Sequence, residues 1–404
     1  MENDITAAMY DYWLCCAMNE NRPKLSRLLW ALGTSENVYR AGYGRLSRVP
    51  DVTAADVEWI KKSRDEFDIK AEFERLERLR MSFITLKDKS YPLRLFPLSG
   101  KPFSLFFKGE LPDEGKRSVA IVGARRCSEY GRSCAHEIAA ELAAAGINVI
   151  SGMAEGIDSA AHRGALCGGG KTYAVCGCGA DRCYPSGNIS LYADIEKNGG
   201  IISEYVPGTP PLPRFFPERN RIISGLADAV IVIEAREKSG SLITADRALE
   251  QGRDVFALPG RVCDSLSAGC NRLIREGAAL IRGAEDVLAE FHMDETDSFG
   301  ADKTHSFGAD GKAPAGEKRK KPDLENDLAV VYSCLDLSPK PADMIMEETG
   351  LSASIASKAL VELEMMGLVF EPAKDFFVKC GSGKGVYHGK KSCDSRITRK
   401  GEHD

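Results

Sequence analysis

From Arg117 to Gly283 short apolar runs alternate with helical patterns, and this alternation limits the possible folds more than any other feature of the chain. The runs read VAIVG, NVISG, TYAVCG, GIISE, DAVIVIEA, DVFALPG and AALIRG. Between them the apolar residues recur at helical spacing, up to Ala145 and Cys167, then from near Ile189 to Asn198 and from Ser241 to Gln251. Near-continuous apolar strands separated by helices predict parallel neighbours, because a parallel pair needs a crossover and buries both faces. The expected architecture is α/β, a doubly wound and mostly parallel sheet covered by helices. AVIVIEA, from Ala229 to Ala235, is among the longest apolar runs and is strand-sized, well short of the roughly 20 apolar residues of a membrane helix, so no membrane insertion is expected.

At about 150 residues per domain, 404 residues leave room for flanking domains. In residues 1–80, Leu25, Leu28, Leu29 and Leu32 recur at helical spacing, broken by Gly33, Gly42, Gly44 and Pro50, which predicts a small all-helical domain. Residues 81–290 form the α/β domain, beginning with short aromatic runs interrupted by Pro92, Pro97 and Pro102 that suit edge strands. Residues 291–322 contain the near-repeat DSFGADKT and HSFGADGK and the basic run Lys318 to Lys321, too polar for a core, and read as a flexible linker. Residues 323–380 predict two helices joined at Gly350, with Ser352 as an N-cap, followed by a β-ribbon, the pattern of a winged helix. Residues 381–404 hold six basic and three acidic side chains without a core pattern, an expected disordered basic tail.

The 54 basic and 59 acidic residues give a net charge of −5, which argues against uniform coating of nucleic acid and leaves room for a local basic pocket. The 13 cysteines are odd in number and scattered, and MENDITAAMYDYW has acids where a secretory leader starts basic, so a reducing cytoplasm is the expected location.

Candidate binding residues cluster at the predicted strand ends. In the first turn, IVGARRCSEYG places Gly123, Arg125 and Arg126 where a strand meets a helix, and free N–H groups there suit phosphate. The turn lacks G-x-G-x-x-G, so a dinucleotide is not expected, and the two arginines read equally as a solvated surface pair. In SGMAEGIDSAAH, Gly152 and Gly156 permit close approach, while Asp158 and His162 stand one helical turn apart and suit a hydrogen-bonding role better than catalysis. Cys176, Cys178 and Cys183 lack a clear fourth zinc ligand and read as buried thiols. Arg214, Arg219 and Arg221 interleave with Phe215 and Phe216, which fits phosphate gripping with base stacking, or equally a core pair with arginines bound to Glu218. Lys238, Ser239, Gly240, Ser241 and Thr244 open a helix after a strand and favour an anion over a simple N-cap.

Together, IVGARR, SGMAEGIDSAAHRGAL, CGCGADRCYPSGN, RFFPERNRIISGLADAVIVIEAREKSGSLITADRALEQGRDVFALPG and SAGCNRLIREGA resemble the DNA-processing protein A family, also called Smf, over about Ser82 to Glu290. The resemblance implies an extended Rossmann-like domain between an N-terminal SAM-like and a C-terminal winged-helix domain. It implies a cytoplasmic homodimer that binds single-stranded DNA, protects it and loads the recombinase RecA during natural transformation, without enzymatic activity or cofactor. On this reading Arg125, with Gly123 and Arg126, clamps a phosphate. Gly152, Met153, Ala154, Gly156 and Asp158 shape the pocket floor, and Arg219, Asn220, Arg221, Lys238, Ser239, Gly240, Ser241 and Thr244 form the other wall. Ser186 and Gly187 stand where relatives often carry a basic residue, which removes one expected phosphate contact. The segment NRPKLSRLL lacks the glycines of a DNA-gripping hairpin, so the N-terminal module reads as structural.

Two other functions compete. A nucleotide-processing phosphoribohydrolase of the lysine decarboxylase-like type would need a P-G-G-x-G-T-x-x-E turn, where this chain has SGSLITADR with Asp246 as its first acid. A transcription regulator would need a cationic recognition helix, whereas LSASIASKALVELEMMG offers only Lys358 among several acids.

Overall fold

The computed structural model describes residues 5–19, 22–298, 326–336, 340–373 and 375–379. They fall into two compact units, one within Met1–His305 and the other within Ser306–Asp404.

The first unit opens with helices α1 (Ala7–Ala17), α2 (Arg22–Leu32), α3 (Ser35–Arg40), α4 (Tyr43–Leu46), α5 (Ala54–Glu66) and α6 (Ile69–Arg78). Their starts are written in the sequence: Thr6, Thr34, Thr53 and Asp68 each accept a backbone N–H as N-caps of α1, α3, α5 and α6. These helices pack directly on the edge of the sheet, since the Tyr12 ring lies 5.7 Å from Phe83 and 6.0 Å from Phe106. Asn19, just after α1, donates to Thr209 Oγ1 at 2.9 Å and accepts from the Val206 N–H at 3.3 Å.

The strands are β1 (Ser82–Thr85), β2 (Ser104–Gly109), β3 (Ser118–Gly123), β4 (Asn148–Ser151), β5 (Thr172–Cys176), β6 (Gly199–Ser203), β7 (Ala229–Ile233), β8 (Asp254–Ala257) and β9 (Ala279–Leu280). They form one nine-stranded sheet in the order β1-β2-β6-β5-β4-β3-β7-β8-β9. Only β1 and β2 run antiparallel to their neighbours; β1 is an edge strand as expected, whereas β2 pairs on both sides. The connecting helices are α7 (Glu129–Ala144), α8 (Ile157–Cys167), α9 (Ile189–Lys197), α10 (Phe215–Leu226), α11 (Gly240–Glu250), α12 (Ala268–Arg275) and α13 (Ala284–Ser298).

Strand residues alternate between two cores. Val119 and Ile121 of β3 pack with Ile138 and Leu142 of α7 and Phe291 of α13, whereas Ala120 and Val122 pack with Ile222 of α10 and Leu242 of α11. Burial of both faces, at about 1.5–3 kcal/mol for each large apolar side chain, is why these strands are apolar throughout. The chain reverses its direction of travel across the sheet between β3 and β7, and in such folds ligands bind at the strand ends beside this switch. The doubly wound expectation is met.

One boundary differs. The linker expected from residue 291 begins inside α13, because Phe291 is buried in the same core as Val287 and the helix runs to Ser298. The near-repeat beyond its first two residues, Asp297 and Ser298 at the end of α13, lies outside the described residues, as do the Lys318 to Lys321 run and the basic tail.

The second unit contains α14 (Asn326–Cys334), β10 (Lys340–Pro341), α15 (Ala342–Thr349), α16 (Ala353–Met365), β11 (Val369–Ala373) and β12 (Phe376–Lys379), its strands ordered β10-β12-β11. This is the expected winged helix. Gly350 ends α15 with φ +68°, a conformation glycine adopts without a Cβ penalty. Ser352 stands at the N-cap of α16 without a side-chain capping bond.

Gly164 and Gly168 let α8 lie against the backbone of α7, since a Cβ at either would run into the carbonyl of His136 or Ala140. Gly164→Ala is expected to separate the two helices and lower the stability of this unit by about 1–3 kcal/mol, measured by urea denaturation followed by circular dichroism.

Candidate nucleic-acid interface

The loops after β3, β4, β5 and β7 converge at one end of the sheet. Gly123 closes β3 where a Cβ would enter the Ile233 carbonyl and lie 2.7 Å from Ile157 Cγ1. Arg125 and Arg126 follow in the turn, both exposed.

The start of α7 differs from the expected phosphate cradle. Its N-cap Ser128 accepts the Gly131 N–H at 3.0 Å, and Ser128 donates its own N–H to Glu234 Oε2 at 2.7 Å and its hydroxyl to Glu234 Oε1. Glu234, buried just beyond β7 with φ +53°, is therefore an internal anion on that helix terminus.

The floor is the loop after β4. Asp158 of α8 accepts the Gly152 N–H at 3.1 Å and the Ala154 N–H at 3.4 Å. Met153 has φ +61° and is buried, a conformation that costs a non-glycine residue of order 1 kcal/mol and persists only where neighbours enforce it. One such neighbour is Asn188, which donates to the Met153 carbonyl at 3.0 Å and to Ser159 Oγ at 2.9 Å. Gly156 caps α8 with φ +79°, where a Cβ would strike the Ala124 and Arg125 carbonyls.

Arg219 of α10 is 4% exposed and lies beneath this floor, donating from Nη1 to the Gly152 carbonyl at 2.8 Å and to the Val175 carbonyl. A Cβ at Gly152 would sit 2.7 Å from Asp158 Oδ2 and 2.8 Å from both Nη atoms of Arg219, so only glycine fits between them. Burial pushes the Asp158 carboxyl up despite the nearby Arg219 charge, and pushes the Arg219 guanidinium down despite Asp158. Guanidinium and carboxyl thus sit side by side, both buried, at the strand ends.

Above them stands an aromatic pair. The Phe216 ring lies 5.4 Å from the Arg125 guanidinium carbon and 5.9 Å from that of Arg219, with the partly exposed Tyr184 ring 5.5 Å away. Phe215 points the other way, fully buried with its ring 4.1 Å from Tyr205. The two phenylalanines thus divide between core and surface.

The other wall is mixed. Asn220 donates to the Gly240 carbonyl at 3.2 Å, which ties α10 to the start of α11. Ser239 is the N-cap of α11, its hydroxyl 2.7 Å from that of Ser241, while Ser241 and Thr244 are buried and Lys238 is exposed. Arg221 is committed elsewhere: Nη2 contacts both Glu204 carboxylate oxygens at 2.8 Å and Nε donates to the Gly100 carbonyl at 2.9 Å. Its carboxylate partner is Glu204, while Nη1 donates to the backbone carbonyl of Glu218 at 3.3 Å.

Asp158 and His162 make separate bonds. Thr172 donates its hydroxyl to the Val149 carbonyl at 2.8 Å and lies 2.7 Å from His162 Nδ1, so the imidazole carries its proton on Nδ1. Cys176 and Cys178 are buried and Cys183 half-buried, and no metal-holding cluster occurs among the described residues.

Sequence reasoning missed Tyr184, Asn188 and Glu234. Tyr184 and Asn188 lie within CYPSGN, where proline and glycine marked only a turn, and Glu234 read as the end of an apolar strand.

Fold and site define a Rossmann-like protein whose strand ends present arginines and aromatic rings in place of a dinucleotide cradle. The family model described as DNA recombination-mediator protein A matches residues 82–292, and that of the DprA winged helix domain matches residues 315–371. The chain therefore belongs to the DNA recombination-mediator protein A family, the DprA/Smf proteins. It is 46% identical over 227 residues to DNA processing protein DprA of Streptococcus pneumoniae, covering 56% of this chain and 78% of the relative. It is 33% identical over 365 residues to Protein Smf of Synechocystis, covering 85% and 92% of the two. The X-ray structure of the pneumococcal protein aligns with a TM-score of 0.60 at 37% identity, covering 71% of this chain and 98% of that one.

His162 gives the fold a specific acid sensitivity. Burial, with Arg219 and Arg163 nearby, pushes its imidazole down to about 3, whereas an unfolded histidine titrates near 6.5. Between these values the unfolded chain binds the extra proton, so this contribution to stability is complete above about pH 6.5 and falls as pH drops. His162→Gln is expected to flatten the loss of stability between pH 7 and 5, by up to about 1.4 kcal/mol per pH unit, in urea denaturation at the two pH values.

Proposed function

We propose that this protein is a non-enzymatic recombination mediator that binds single-stranded DNA at these strand ends, protects it and loads RecA onto it, acting as a homodimer in the cytoplasm during natural transformation. The observation that carries the reading is the Phe216 ring with the Arg125 and Arg219 guanidinium groups 5.4 and 5.9 Å away and Tyr184 beside it. Cations beside the half-buried Phe216 ring and the exposed Tyr184 ring supply what a single strand needs: charge for phosphates and π-faces for unpaired bases. Family membership supports the same reading.

The roles divide by exposure. Arg125, with Arg126 and Lys238, contacts phosphates directly. Arg219 acts from below through its field and by holding Gly152, Met153 and Ala154 in place. Gly123, Gly156 and Asp158 set the loop shape, while Asn220, Ser239, Gly240, Ser241 and Thr244 build the wall at the start of α11. Arg221 braces α10 against Glu204. The phosphoribohydrolase alternative needs a free carboxylate beside a bound nucleotide, whereas Asp158 accepts backbone N–H groups and Glu234 caps α7.

Arg125→Ala is expected to weaken binding to an unstructured labelled oligonucleotide by roughly tenfold or more and to reduce the salt slope by about 0.7, in fluorescence anisotropy across a salt series. Arg221→Ala is expected to leave the slope unchanged and lower thermal stability. Unchanged affinity and slope for Arg125→Ala would remove it from the site. RecA loading is read from RecA ATPase on single strands precoated with a single-strand binding protein: addition of this protein should shorten the lag, and an unchanged lag would overturn that role.

A further inference from the structure

We infer that single-stranded DNA leaves the Phe216 pocket along the loops after β5 and β6 and continues onto the N-terminal helices, where Trp59 stacks a base and Lys61 and Lys62 meet phosphates. This rests on the single-strand reading above and assigns the N-terminal helices a binding role that their sequence alone does not suggest.

The first argument is connectivity. Trp59 Nε1 donates to the Ala17 carbonyl at 2.8 Å, at the end of α1. Two residues on, Asn19 bonds Thr209 and Val206, and the Thr209 carbonyl accepts the Gly179 N–H at 3.0 Å. Gly179 belongs to the loop that carries Tyr184, whose ring lies 5.5 Å from Phe216. Hydrogen bonds and short stretches of chain thus tie the loops after β5 and β6, at the same end of the sheet as Phe216, to the end of α1 and to Trp59.

The second argument is chemistry. The chain has three tryptophans; Trp13 is fully buried, whereas Trp59 is 54% and Trp30 85% exposed. Around Trp59 the exposed rings carry cations: Lys62 Nζ lies 5.9 Å from the Trp59 ring and Lys61 Nζ 5.9 Å from the Tyr43 ring. Both lysines also pair with Glu66 and Glu58 at 3.7 and 3.4 Å, but as exposed pairs on one helix, which contribute little and exchange readily for phosphate. Arg45 and Arg48, in and just after α4, are exposed and make no side-chain ion pair or hydrogen bond among the described residues. Residues 22–66 hold nine basic and six acidic side chains in a chain whose net charge is −5. Cations beside exposed rings here match the combination of guanidinium and ring at Phe216 on which the single-strand reading rests.

The test uses the full-length protein with oligothymidylates of about 6 and about 25 nucleotides, the shorter one filling little more than the pocket. Lys61→Glu with Lys62→Glu touches no buried group and should reduce affinity for the long oligonucleotide by about tenfold or more, with the short one unchanged. In a Trp30→Phe background, the long oligonucleotide should quench the Trp59 emission and the short one should not. Trp59→Phe, which keeps a ring, should retain most of the long-strand affinity. Equal affinity of the lysine variant and the wild type for the long strand, or no quenching, overturns the path. So does an equal loss for both lengths, which would indicate an indirect effect on the pocket. If neither length binds the wild-type protein, the single-strand reading itself fails, and the path with it. Binding of a protein partner at Trp59 without any effect of the lysine variant on long strands would assign the surface to another ligand class and also overturn the proposal.

Discussion

The strand ends depend on one buried cation. Taking a guanidinium out of water is costly, and Arg219 offsets that cost by donating to the Gly152 and Val175 carbonyls and by facing the field of Asp158. These contacts tie α10 to the ends of β4 and β5 at once. They also make glycine obligatory at 152, since a side chain there would meet Asp158 on one side and Arg219 on the other. The same guanidinium lies 5.9 Å from the Phe216 ring, so the residue that ties the strand ends together also supports the ring above them. Structural and electrostatic roles are thus inseparable in this residue.

Much of the architecture was legible because burial on both faces forces a distinctive pattern. Parallel strands must be apolar throughout, and VAIVG and AVIVIEA announced β3 and β7 for that reason. The winged helix was legible through Gly350, whose positive φ ends α15 where the apolar pattern breaks. The start of the linker was not, because Phe291 looks like any isolated aromatic in a polar stretch until the core that receives it is known.

The site was legible by region and less so by role. Arg219 and Arg221 are separated by one residue, yet one lies beneath the pocket and the other pairs with Glu204, a distinction set by helical rotation and by a partner seventeen positions away. Phe215 and Phe216 divide between core and surface for the same reason. Asn188 escaped notice because its task is to hold Met153 in a left-handed conformation, and neither residue advertises that alone. Long-range partners decide roles, while local pattern decides location.

The carboxylate of Glu234 on the first turn of α7 has a consequence for selectivity. In many folds of this type that helix terminus receives a nucleotide's phosphates through its backbone N–H groups. Here the protein supplies its own negative group to that terminus, where it accepts the Ser128 N–H and hydroxyl. On the proposed reading, phosphates meet the exposed side chains of Arg125, Arg126 and Lys238 in its place. On that reading contacts add up along a strand, and selectivity follows polymer length, since a mononucleotide meets few of them.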